Sequence, residues 1–111
     1  MRTLIVLSIL VTAACGKSHV SRESAQAACE HQTELGFWKG FDSSVRKNQL
    51  DPAAPEVKAQ GVEGLAEQRK TPEWKAVVDK CTDTFVKAAT DKQVKCVMAA
   101  TTSEAAQACL K

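Results

Sequence analysis

The cysteines constrain this chain more than any other feature, because a chain of 111 residues has room for only one small core. The sequence contains five of them. Cys15 directly follows an apolar N-terminal run, whereas Cys29, Cys81, Cys96 and Cys109 are spread over the rest of the chain. Which of the five are paired with each other therefore decides much of the fold.

The N-terminal segment has the pattern of an export signal. Arg2 supplies a positive charge, and residues 4–11 form an apolar run with a single interruption. This run is shorter than the about 20 apolar residues that a membrane-spanning helix needs, and small residues end it at Cys15. We therefore expect residues 1–14 to be a signal peptide that is cleaved after export.

The segment Val11-Thr12-Ala13-Ala14-Cys15 resembles the bacterial lipobox, in which small residues precede a cysteine that is acylated before cleavage. The resemblance implies that Cys15 carries acyl chains such as palmitate, becomes the first mature residue and anchors the protein in a membrane. Gly16 follows the cysteine where an aspartate would imply retention in the inner membrane, so we expect the outer membrane, facing the periplasm. Residues 15–21 would form the lipidated tether.

The remaining four cysteines form an even set, and export would place them in an oxidising compartment, so we expect two disulfides. No C-x-x-C spacing favours a zinc or redox site. Because the last helix is too short to be stable alone, we favour a Cys96–Cys109 bond that joins it to the preceding helix, with Cys29–Cys81 as the second bond. The pairing of Cys81 with Cys96 and of Cys29 with Cys109 remains open.

Apolar residues at helical spacing predict an all-α fold, a disulfide-stapled bundle of four to five short helices in residues 22–111. The first helix is expected to begin near Ser21 and to end at Gly36. Its core-facing positions are Ala25, Ala28, Cys29, Gln32 and Leu35.

A polar region from Asp42 to Lys70 follows, and we expect it to be the most mobile part of the protein. A loop at residues 51–55 precedes a weak helix, in which Gly61 and Gly64 each cost about 1 kcal/mol relative to alanine.

Three helix starts are evident in the C-terminal half. Thr71 is the expected N-cap of one helix, Thr90 opens a capping box with Gln93, and Thr101 opens another with Glu104. The first of these helices has an apolar stripe made of Trp74, Val77, Val78, Cys81, Phe85 and Ala88.

The densest aromatic patch consists of Phe37, Trp38 and Phe41. Aromatic side chains suit a ligand platform or a membrane-interface anchor, but we favour a role in the core, because a small alanine-rich domain needs its bulky residues inside.

No arrangement of catalytic residues is evident, and we expect neither enzymatic activity nor a metal or cofactor. His31 is two residues from Cys29 and so lies on a different flank of the helix. The acids, such as Asp79 and Asp83, are typical of solvated helix faces. Removal of Arg2 with the signal leaves 14 basic and 13 acidic residues with no basic cluster, so no nucleic-acid partner is expected.

Three short motifs, Ala28-Cys29, Lys95–Ala100 and Ala106–Cys109, resemble those of small helical cysteine-containing lipoproteins of Gram-negative bacteria. The resemblance implies a helical disulfide fold and no particular activity. Our leading hypothesis is a non-enzymatic interaction or accessory module, anchored through Cys15, with an envelope protein as its unidentified partner. The alternative is a binding module for a small apolar or envelope ligand that uses Phe37, Trp38 and Phe41.

Overall fold

A computed structural model describes residues 20–111; the predicted signal peptide, Cys15 and most of the predicted tether lie outside the described residues. All regular secondary structure between Val20 and Lys111 is helical, which confirms the predicted all-α fold. No helix in this range is long and apolar enough to cross a membrane. The helices are α1 (Arg22–Lys47), α2 (Pro55–Arg69), α3 (Pro72–Ala88), α4 (Asp91–Ala99) and α5 (Ser103–Ala108).

The helix starts follow the capping residues of the sequence. The Ser21 hydroxyl accepts a hydrogen bond from the backbone N–H of Ser24 at the start of α1, and Thr71 caps α3 in the same way. Thr90 and Gln93 form the predicted capping box of α4, with each side chain bonded to the backbone of the other residue. These side chains satisfy backbone donors that have no partner within the helix.

The cap of α5 differs from the prediction by one residue. Thr102, not Thr101, accepts the hydrogen bond, from the backbone N–H of Ala105. Glu104 therefore occupies the second helical position instead of the third, from which a capping box would form. It bonds to Lys39 of α1 instead.

Helix α1 does not end at Gly36, so that prediction was wrong. It continues for 26 residues to Lys47. Gly36 is exposed, and an added Cβ there would meet nothing within 4 Å, so the position is an ordinary solvent-facing helical site. Asn48 is the C-cap of the helix, and Gln49 then turns the chain into the left-handed region at φ 56°.

The main core lies between the first half of α1 and helices α3, α4 and α5. Ala28, Val97 and Ala106 are fully buried in it. Val20 is also buried there, two residues before the predicted start of the domain at residue 22. Val20 and Ser21, the last two residues of the segment that was predicted to be tether, therefore belong to the folded domain, and Ser21 is the cap of α1.

Helix α3 buries a narrower stripe than predicted. Val78 and Phe85 are buried, but Val77 is 54% exposed and Ala88 is also exposed. Thr82 takes an inward position, where its hydroxyl donates a hydrogen bond to the Val78 carbonyl at 2.7 Å. A threonine can be buried at this site because the bond satisfies its polar group.

Both favoured disulfides are present. Cys29–Cys81 joins α1 to α3, and Cys96–Cys109 joins α4 to the residue after α5, with Cα atoms 5.8 Å apart in each pair. Cys29 is fully buried, whereas Cys96 is exposed on α4. We call the main core, formed by the first half of α1 with α3, α4 and α5, together with its two disulfides, the stapled core.

Helix α2 packs on the second half of α1, apart from the main core. Val45 and Val57 are buried between these two helices. Pro55 begins α2, and its N-cap, Ala54, makes no side-chain capping bond. We call residues 37–69 the arm. The predicted weak helix is thus a regular helix of 15 residues, and its mobility stays a prediction.

Candidate functional site

The predicted aromatic patch lies on the arm, where α1 faces α2. Phe37, Trp38 and Phe41 are all half-buried. The Trp38 ring meets those of Phe37 and Phe41 edge-on, with centroids 5.3 and 5.7 Å away, and the two phenylalanine rings lie nearly parallel at 6.1 Å. Such edge-to-face contacts are favourable for aromatic rings, because the positive edge of one meets the negative face of the other.

Two glycines of α2 allow the aromatic rings to approach its backbone. A Cβ at Gly61 would lie 2.5 Å from Cζ3 of Trp38 and 3.0 Å from Cε2 of Phe41. A Cβ at Gly64 would lie 3.3 Å from Cζ of Phe37. From the sequence, we expected these glycines only to lower the stability of the helix. In the fold they make room for the aromatic rings.

An apolar groove opens beside this contact, between α1, the following loop and α2. It encloses about 360 Å³ and is open to solvent. Val62, on its α2 side, is 62% exposed. The apolar side chains that line the groove are Trp38, Phe41, Val45, Pro52, Val57 and Val62.

The groove has one charged residue on each side. Asp42 of α1 and Lys58 of α2 both line it, and both are exposed. Neither belongs to an ion pair with another of the residues from 20 to 111. The site thus combines an apolar floor with opposite charges on its two rims.

The three predicted binding residues do not all face the groove. Trp38 and Phe41 line it, but Phe37 lies on the other side of the aromatic contact. There it borders a shallow cleft with Trp74 and the exposed Val77. The structure therefore brings only two of the three side chains to one surface.

Ion pairs connect α1 to the helices around it. Arg22 pairs with Asp83 of α3 at 2.7 Å, and Glu34 pairs with Arg69 at the end of α2. Lys39 pairs with Glu104 of α5 at 2.5 Å. The hydrogen bond from Lys39, helped by the backbone N–H of Glu104 and by the charge of Lys39, lowers the pKa of the Glu104 carboxyl.

His31 makes a tertiary contact that sequence analysis missed. Its Nε2 lies 2.7 Å from the carbonyl oxygen of Ala100, at the end of α4. Because a carbonyl only accepts hydrogen bonds, Nε2 must carry the proton. The ring is half-buried and joins α1 to α4. A histidine two residues after a core cysteine carries no pattern that would reveal this contact.

The other candidates for chemistry in the described residues are metal-ligating, buried polar and thiol groups. No three side chains of the types His, Cys, Asp or Glu are grouped there so that they could hold a metal ion. Every buried side-chain nitrogen or oxygen in this part of the chain has a hydrogen-bond partner. Cys29, the cysteine nearest to His31 in sequence, is bonded to Cys81.

These features define a small all-α protein that is cross-linked by two disulfides and has an apolar groove on its arm. Comparisons of the chain with protein-family models, with curated proteins and with solved structures find no match.

Proposed function

We propose that this protein is a lipid-anchored envelope protein that acts without catalysis, as an interaction module whose contact surface is the groove of the arm. The groove carries this proposal. It exposes Val62 and half-buried aromatic rings to solvent at one site. A solvent-facing apolar site of this kind is typical of a surface that binds another protein or a ligand.

The proposed anchor and the groove belong to opposite ends of α1. At about 3.5 Å per residue, the chain from Cys15 reaches at most about 17 Å to Val20. With a rise of 1.5 Å per helical residue, Trp38 lies about 24 Å and Val45 about 35 Å along the axis from Arg22. An anchor at Cys15 would therefore attach the protein at one end of α1 and leave the other end free for a partner.

Replacement of Cys15 tests the anchor. We expect Cys15→Ser to release the protein from membranes in fractionated cells without changing its fold, because the other four cysteines are already paired with one another. A Cys15→Ser protein that stays in the membrane fraction would contradict lipid attachment, and one that misfolds would show that this thiol belongs to the folded domain.

Affinity purification from solubilised envelopes tests the interaction. The full chain with a tag after Lys111 should retain a protein partner in stoichiometric amount, and Val62→Asp should lose it. Val77→Asp is the matched control, because Val77 is a similarly exposed valine within a helix but does not line the groove. No partner with the unaltered chain, whether another protein or a differently tagged copy, would overturn the proposal.

A second candidate function is the binding of a small apolar ligand, which the groove volume of about 360 Å³ favours because ligand sites commonly enclose 300–1,000 Å³. Trp38 would report on binding. In a Trp74→Phe variant, where Trp38 is the one remaining indole, the apolar dye 1-anilinonaphthalene-8-sulfonate should quench its fluorescence. The Trp38→Phe variant, which keeps Trp74, should show no quenching; equal quenching of both would contradict binding in the groove.

A further inference from the structure

The apolar lining of the groove includes an exposed valine next to less exposed side chains. Val62 lines the groove with 62% of its surface exposed, and Trp38, Phe41 and Val57 line it with smaller exposed fractions. Such a surface can pair with a copy of itself, since a two-fold axis can be placed so that the exposed Val62 of each copy lies over the groove of the other.

The charges on the two rims fit the same arrangement. Asp42 lies on the α1 side and Lys58 on the α2 side. If the two-fold axis runs parallel to the groove, the α1 rim of one copy lies against the α2 rim of the other, so each acid faces a base. The two contacts between opposite charges arise from one acid and one base per chain, and neither has an ion-pair partner among the residues that the structure describes.

We propose that the groove binds a second copy of this chain in a two-fold dimer, in which Val62 of each copy enters the groove of the other and Asp42 faces Lys58. This inference rests on the proposed function, because it names the partner of the same surface. Two copies confined to one membrane meet at a raised effective concentration. A small interface is then sufficient, and the rim charges act mainly on specificity and orientation.

Photo-crosslinking in cells identifies the occupant directly. The full chain carries p-benzoyl-L-phenylalanine in place of Val62, and a matched variant carries it in place of Val77. Irradiation should join the chain at position 62 to a second copy, giving a product of twice the mass with peptides of this chain alone, and the variant at position 77 should stay single.

The other outcomes of this experiment overturn the dimer. A crosslink from position 62 to a different protein would refute self-association while leaving the proposed interaction function intact. A crosslink to a lipid or small molecule would favour the ligand-binding candidate. No crosslink at position 62 would refute the dimer, and with a negative purification it would refute the proposed function as well.

Charge reversal tests the pairing of the rims. Two full chains with different C-terminal tags are co-expressed, and one is recovered through the tag of the other. Asp42→Lys paired with itself, or Lys58→Asp with itself, should lower recovery about tenfold, because like charges then face each other twice. Asp42→Lys co-expressed with Lys58→Asp should restore it.

The restored pair is decisive because a local defect cannot produce it. If Asp42→Lys merely disturbed its own helix, a Lys58→Asp chain could not repair that defect from outside. Recovery of the mixed pair no better than that of each variant with itself would therefore contradict the two-fold arrangement.

Discussion

The stapled core and the arm are built by different means, although α1 runs through both. The stapled core buries a continuous apolar cluster and is closed by two disulfides. The arm has no cross-link of its own, and Val45, Val57 and Gly61 are its buried residues. Regions with few buried apolar contacts open at lower free energy than the core. We infer that the core secures the fold, while the arm carries the proposed contact surface.

Removal of the central disulfide should have the largest effect. The double variant Cys29→Ala/Cys81→Ala opens a loop with a sequence separation of 52, and the chain-entropy model gives a loss of about 4 kcal/mol in the free energy of unfolding. Removal of Cys96 and Cys109, which are separated by 13 residues, should cost about 3 kcal/mol. Denaturant unfolding measures both.

The same disulfides differ in access to reductants. Because Cys96 is exposed and Cys29 fully buried, a dithiol reductant should open Cys96–Cys109 first, as trapping of free thiols at successive times would show. Earlier opening of Cys29–Cys81 would contradict the picture of a closed central core.

Alanine substitutions at two glycines test whether tight packing in the arm is specific to the contact between α1 and α2. Gly61→Ala should destabilise the arm by about 1–3 kcal/mol, because the new methyl overlaps the Trp38 ring and overpacking strains its neighbours. Gly36→Ala is the matched control: it adds the same methyl to an open helical site and should stabilise the protein by about 1 kcal/mol.

Hydrogen exchange locates the effect of Gly61→Ala. Amides of α2 should exchange faster in this variant, while amides of α4 keep their protection. Equal loss of protection in α2 and α4 would show that the two regions unfold as one unit, and the distinction between them would then fail.

Acidification should have the smallest effect on the stability of the fold. It weakens the contact between α5 and the second half of α1. Because the pKa of Glu104 is lowered in the folded protein, its ion pair with Lys39 stabilises the fold above the ordinary pKa of glutamate, about 4.3. This stabilisation is lost as the pH falls through the lowered value. Carboxyl NMR titration should show the pKa of Glu104 rising in Lys39→Met; an unchanged value would contradict the role of Lys39.

Most of the helix starts that local sequence signals predicted are confirmed, although the predicted cap at Thr101 and the predicted helix end at Gly36 were wrong. Ser21, Thr71 and Thr90 cap helices as predicted, since a cap involves only residues within one turn of each other. The favoured disulfides also came from local reasoning, because the final helix was expected to be too short to be stable alone, which favoured a bond to the preceding helix. The export signal and the lipid at Cys15 rest on local sequence as well and stay predictions.

Tertiary packing explains the predictions that were wrong. Gly36 was expected to end α1, but a helix passes through an exposed glycine when the residues on either side pack against neighbours. Val77 belonged to the predicted stripe of α3 but is exposed, whereas Thr82 was not part of that stripe and is buried. The contact between His31 and Ala100 joins residues far apart in sequence and leaves no trace in local spacing.

By itself the sequence determined the helical class, the main helix starts and the set of cysteines available for pairing, all of which depend on residues near one another or on composition. Only the tertiary structure decided that Gly61 receives an aromatic ring, that Trp38 and Phe41 share a groove with Val62, and that Phe37 faces elsewhere. The physical reason is that a groove exists between two helices, and its shape depends on their distance and rotation, which no spacing within either helix records.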